Sequence, residues 1–325
     1  MFLSEALRWS LAILLALMVA ASIDVRARGL ARKRMGVVWI GLRYRALVPP
    51  GFSNDYPGRR LMALLLLAFV LLNGVFLGLA FADQPPEIDL ESLSPMAPFA
   101  GHVLLLGAVV GWVLLGWFGL PPVRTALPGL EAASDMEPGE GDDLARGRAK
   151  EGDSSWVAAL GLRVQRPLDE LVWGVVGGVA GWLIALGASL VVAVAIAMLS
   201  TSTDLDFGWL ETEPSPLLVW IAALPIGVRI ALSVSAGVVE ELFFRGLLQP
   251  RIGLWASTVC FVLGHLAYGQ PMMVVGLTAL SLFYGWLAIW RRSIWAPIIA
   301  HTLFDLVQML LVVPWALELA SQSGS

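Results

Sequence analysis

Glu240, Glu241, Arg245, His265, His301 and Asp305 are ionisable side chains set in long apolar runs of this sequence. Inside a bilayer each such group costs about 2.5–3.5 kcal/mol on insertion scales, so a chain that keeps several uses them. Their spacing is orderly. Glu241 and Arg245 are four residues apart, with the acid first, the favoured order for a pair on one helix face. Glu240 lies about 100° further round the same helix and has no local partner. An unpaired buried carboxylate of this kind suits a general base. His301 and Asp305 are also four apart, so the carboxylate can orient the imidazole, and Phe261 and His265 repeat the spacing with an aromatic ring beside the histidine. Taken singly, each has a bland reading: an internal ion pair, an interhelical hydrogen bond, a packing ring. Taken together, acids and histidines on three helices form a general acid–base or metal constellation.

The elements that must carry these groups are membrane helices. The chain has 325 residues, 58% hydrophobic and 14% charged, with mean hydropathy +0.78. Soluble domains carry about 45–50% apolar and about 25% charged residues. Fourteen Trp fit an interfacial setting. A net charge of −4 argues against nucleic acid as a partner. The lone Cys260 excludes an internal disulfide and a cysteine-based zinc cluster. Apolar runs of spanning length cover residues 7–23, 61–82, 99–120, 171–199, a stretch ending near 249, 252–268, 272–290 and 294–317. A crossing helix needs about 20 such residues. The expectation is an all-α, polytopic integral membrane protein with about eight transmembrane helices.

The connections alternate in charge. Residues 24–60 and 121–170 are rich in Lys and Arg, whereas 83–98 and 200–216 have none and carry several acids. The positive-inside rule then puts the basic connections in the cytoplasm and both chain ends outside. Residues 130–155 are rich in Asp, Glu, Gly and Ser and read as a flexible acidic cytoplasmic linker. They divide the chain into a three-span N-terminal region (1–129), a polar-bearing unit (156–317) and a short tail (318–325). Gly174, Gly178 and Gly181 mark a face for close helix packing. Counting along straight helices at about 1.5 Å per residue puts Glu240 roughly 14 Å, His265 roughly 20 Å and His301 roughly 12 Å from the cytoplasmic side, one layer of the bilayer. Residues 217–228 read either as the outer part of a tilted helix or as an interfacial stretch.

Glu240-Glu241-x-x-x-Arg245, Phe261-x-x-x-His265 and His301-x-x-x-Asp305 resemble, in order, the three motifs of the CPBP family. These are intramembrane proteases of the type II CAAX prenyl protease, bacteriocin-processing and Abi-like kind. The resemblance covers about residues 171–317. It implies an endopeptidase of the CAAX-processing type, cutting a membrane-associated or peptide substrate with water activated by Glu240 and His265. Glu241 and Arg245 would shape the site, and His301 and Asp305 would bind the oxyanion or the peptide. Zn2+ held by Glu240, His265 and His301 and a metal-free glutamate mechanism are both open at this stage. The family often has Asn where Asp305 stands, and an ionised Asp cannot donate to an oxyanion. The implied setting is a bacterial inner membrane, with the site towards the cytoplasmic half and lipid bilayer and substrate as partners. Two rivals differ in class. A non-catalytic scaffold or bacteriocin-immunity protein would tolerate changes at Glu240, His265 and His301. A proton-coupled transporter would show inverted repeats, which the sequence lacks.

Overall fold

In the computed structural model, the described residues are 5–33, 37–39, 42–44, 57–80, 93–114, 157, 160–164, 166–202 and 215–323. The expected linker 130–155 and most of the basic and acidic connections lie outside them. Helix α1 spans Glu5–Lys33 and is followed by a two-stranded antiparallel pair, β1 (Val37–Trp39) and β2 (Leu42–Tyr44). Helix α2 (Pro57–Leu71) continues through a π-helical turn, Leu72–Phe76, into Leu77–Ala80. Helix α3 is Phe99–Leu114, and α4 is the long helix Pro167–Ser202. Helix α5 is Pro216–Ala223. Helix α6 (Ile226–Glu240) continues through the π-helix Glu241–Leu248 into Gln249–Ile252. Helix α7 (Leu254–Gly264) ends in a tighter turn, Leu266–Tyr268. Helix α8 is Pro271–Arg291, and α9 (Trp295–Val307) runs on through Gln308–Val312 to Val313–Ser323.

The chain is a polytopic membrane protein and, among the described residues, all-α apart from that short strand pair; the count of eight crossings is not confirmed. Among the described residues, five helices are long and apolar enough to cross, or six if the bent pair α5–α6 is one span. Two expected spans, Phe99–Val113 and Leu254–Tyr268, are apolar helices of only 10–17 residues. At about 1.5 Å per residue the stretch Leu254–Tyr268 falls short of a hydrocarbon core about 30 Å thick. Residues 217–228 do not continue α6 in a straight line. They hold a sharp break, with α5 and α6 at 116°. The cause is local: Leu224 precedes Pro225, and a residue before proline is pushed out of the α region. Leu224 accordingly has φ −63° and ψ 150°.

Lipid as solvent explains the surface. Helix α4 exposes Leu168, Leu171, Val179, Leu183, Leu190 and Val191, a face no water-soluble protein would present. Its small residues point the other way. A methyl group added at Gly174 would fall on Ile299, one at Gly178 would press on Leu303, and one at Gly181 would strike Tyr284. The small-residue face therefore seats α4 closely on α8 and α9. Glu170, at the start of α4, accepts from the Arg291 guanidinium at 2.9 Å and the Ala296 N–H at 3.2 Å. It ties the end of α8 and the start of α9 together. A second core joins Ala16 of α1, Leu67 of α2 and Trp112 of α3 to Phe243, Phe244 and Phe261 of α6 and α7. The first three helices are thus packed against the helices that bear the polar groups.

Candidate active site

Helix α6 brings the two neighbouring glutamates to the junction of α-helix and π-helix, a local geometry that recurs at functional sites. Because the two residues project in different directions, they have different surroundings. Glu241 turns into the protein and is fully buried. Its Oε1 lies 3.0 Å from Arg245 Nη1 and 2.8 Å from His301 Nδ1. Arg245 is nearly as buried, with its guanidinium carbon 4.5 Å above the Phe261 ring and Nη2 donating to Ser281 Oγ at 3.2 Å. Ser281 in turn donates to Thr258 Oγ1 at 3.2 Å. A buried charge needs such company, because an unpaired one is costly.

Glu240 turns the other way, into a cavity of about 660 Å³. Its Oε2 is buried yet has no hydrogen-bond partner, an arrangement that calls for explanation. Three histidines surround this layer, and they are all the histidines the chain has. His265, just past the end of α7, places Nε2 3.8 Å from Glu240 Oε2. Its Nδ1 is 2.8 Å from the Phe261 carbonyl. A carbonyl only accepts, so Nδ1 carries a hydrogen and donates to it. His301 sits between carboxylates, with Nδ1 at Glu241 and Nε2 3.5 Å from Asp305 Oδ2. Phe261 packs under both rings, with centroid separations of 4.6 Å to His265 and 6.0 Å to His301.

The third histidine is His102 of α3, which the sequence reading overlooked. Its Nε2 is 3.5 Å from Glu240 Oε1, and its Nδ1 is 2.9 Å from Ser235 Oγ. A lone histidine in an apolar helix has no motif to announce it. The only signal was that histidines are scarce, and that the other two already stood in motifs.

All six residues expected from sequence come together, in two linked groups. Glu240 and His265 face the cavity, which His301 and Asp305 also line. Glu241 and Arg245 lie behind it. Helices α6 and α9 are drawn together by Gly237, where an added methyl would fall on Thr302 and within 2.8 Å of its backbone nitrogen. The walls are mostly apolar, including Leu186, Leu217, Ile221 and Leu277. The trio Glu240, His265 and His301 does not fit a metal ion as arranged. Both His301 nitrogens face carboxylates, and among the described residues no three such side chains converge on one point.

Fold and site together define an integral membrane protein with a buried acid–histidine cluster open to an apolar cavity. Residues 219–307 match the family described as Type II CAAX prenyl endopeptidase Rce1-like, the family to which the three motifs pointed. The match takes in all six expected site residues and leaves out His102. The chain is also similar to the uncharacterized protein YpbD of Bacillus subtilis (strain 168), 35% identical over 69 residues. That stretch is 21% of this chain and 36% of the relative, so the chain spans about a third of that relative's length. No solved structure matches.

Proposed function

We propose that this protein is an intramembrane endopeptidase of the CAAX-processing type, with Glu240 as general base and His265 as its partner. The observation that carries the reading is the orphaned Oε2 of Glu240, 3.8 Å from Nε2 of His265 and facing the cavity. On this reading His265 Nε2 carries a lone pair, and a water between it and Glu240 donates to both. As its oxygen attacks the scissile carbonyl carbon, Glu240 takes the proton. When the C–N bond breaks, the same proton passes to the leaving amine. His301 Nε2 serves as the donor to the developing oxyanion, released from Asp305 as substrate enters. Asp305 orients that ring and is not itself the oxyanion donor. Glu241 and Arg245 hold His301 in place. No step is routed through a metal.

The apolar walls suit a membrane-associated or lipid-modified peptide. The lining supports a revised view of access. Leu93, Ala97, Pro98 and Leu217 lie at the helix ends next to the acidic connections, and Gln270 lies in the α7–α8 turn. With the basic connections in the cytoplasm of a bacterial inner membrane, the mouth opens on the opposite face and the reacting groups lie below it.

The test is cleavage of a fluorogenic peptide ending in a prenylated CAAX sequence by purified protein in proteoliposomes. Glu240→Gln should lose activity by about 10²–10⁴-fold, the span of a positioned acid–base group, while remaining folded. A Glu240→Gln protein as active as wild type would end this reading and favour a non-catalytic scaffold.

A further inference from the structure

We infer that His102, from the N-terminal helix α3 and outside the matched segment, is a positioning residue of the same site: it donates a hydrogen bond to Glu240 and fixes the carboxylate in its reactive orientation. The inference rests on the function proposed above and adds a residue to it.

The argument is one of hydrogen inventory. His102 Nε2 faces Glu240 Oε1 at 3.5 Å, with side-chain exposures of 12% and 11%. A carboxylate oxygen only accepts. If Nε2 carried a lone pair, two acceptors would face each other at the limit of hydrogen-bond distance, closer than the 3.8 Å that separates His265 from the other oxygen. Nε2 therefore carries hydrogen. The other nitrogen, Nδ1, is 2.9 Å from the Ser235 hydroxyl, which can donate as well as accept. Ser235 donating to Nδ1 leaves Nε2–H as the neutral tautomer aimed at Glu240. His265 is the opposite case, because its Nδ1 is committed as a donor to the Phe261 carbonyl. Glu240 thus lies between a histidine that gives it a hydrogen bond and one that offers a lone pair. One carboxylate oxygen is held, and the other, Oε2, is left free for water. The separation of 3.5 Å is long for a formed bond, as is common before substrate closes a site.

Ser235 belongs to α6 itself, five residues before Glu240. The helix that carries the base thus also sets the tautomer of the histidine that holds it. This gives the packing of α3 on α6 a chemical purpose besides a structural one.

With three histidines in the chain, the experiment can be read residue by residue. In full-length protein labelled with 15N at the imidazole rings, each ring is assigned by losing it in a single substitution. The expected result is His102 as the Nε2–H tautomer and His265 as the Nδ1–H tautomer, with the His102 signals moving in Glu240→Gln and in Ser235→Ala. An Nδ1–H tautomer at His102, or signals indifferent to Glu240→Gln, would overturn the inference whether or not the reporter peptide is cleaved. In the cleavage assay, His102→Ala should lower kcat about 10–100-fold, the scale for groups that orient a reacting one, with KM within about twofold. His102→Gln keeps an N–H at similar reach and should recover most of the loss. Equal losses in the Ala and Gln variants, matched by equal falls in thermal stability, would mark His102 as merely structural. A fully active His102→Ala beside an inactive Glu240→Gln would remove His102 alone. An active Glu240→Gln would remove the function proposed above, leaving the ring spectra to decide the contact.

Discussion

The Nδ1 atom of His301 lies 2.8 Å from Oε1 of Glu241, which fastens the histidine of α9 to the glutamate that is hidden from the cavity. Adjacent residues of one helix therefore divide the work: Glu240 meets the cavity, and Glu241 holds the frame.

That division predicts opposite effects on stability. Glu241→Gln leaves the 3%-exposed Arg245 without its countercharge and should cost about 3–5 kcal/mol, the usual price of breaking a buried pair. Glu240→Gln should change stability little. Adding Arg245→Met to Glu241→Gln should restore part of the loss, since no buried charge is then unpaired. Thermal unfolding in detergent reads all three; a Glu241→Gln protein as stable as wild type would contradict the account.

Close approach of α6 and α9 predicts sensitivity at Gly237. The Gly237→Ala methyl falls on Thr302, one residue from His301, and overpacking of this kind costs about 1–3 kcal/mol. Activity should fall further than stability alone explains, because Glu240 and His301 are moved apart. Thr302→Ala removes the hydroxyl overlap but not the backbone contact, so the double variant should recover only in part. Unimpaired cleavage by Gly237→Ala would show that the spacing is not critical.

The engagement of both His301 nitrogens predicts the effect of chelation. Cleavage should persist after dialysis against a strong chelator, and metal analysis of Glu240→Gln, His265→Ala and wild type should agree. Activity lost on dialysis and restored by Zn2+ would mean that His301 leaves its carboxylates to bind a metal.

Orientation can be read with cysteine labelling. The chain's single cysteine, Cys260, is 3% exposed and gives little background. Ser134→Cys in the acidic linker should react with a membrane-impermeant maleimide only in inside-out vesicles, and Ser94→Cys only in right-side-out ones. The reverse pattern would turn the molecule over and place the cavity mouth in the cytoplasm.

Much of the site was legible because its pairs are local. Glu241–Arg245 and His301–Asp305 are each one helical turn apart, and their observed separations of 3.0 and 3.5 Å follow from that spacing. The assembly of the three motifs in one layer was also foreseeable from depth. What could not be read was whatever depends on distant partners. His102 meets Ser235 across 133 residues of sequence, with no pattern linking them. The link between Glu241 and His301 spans 60 residues and was hidden by the more obvious claim of Arg245. The break between α5 and α6 was signalled by Pro225 but lost inside a continuous apolar run. The π-helix left no mark, since apart from Gly246 its residues suit an α-helix equally well.

That π-helix, Glu241–Leu248, also sets the phase between two halves of one rod. Its wider turns advance fewer degrees per residue than an α-helix does, so Gln249 and Arg251 emerge at an angle that plain α-helical winding would not give them. Gln249 donates to the Gly285 carbonyl at 2.8 Å, which anchors the far half to α8. With that end pinned, losing one residue from the segment would rewind the rod and swing Glu240 out of its bearing between His102 and His265. The length of this stretch is therefore as much a part of the site as the residues in it.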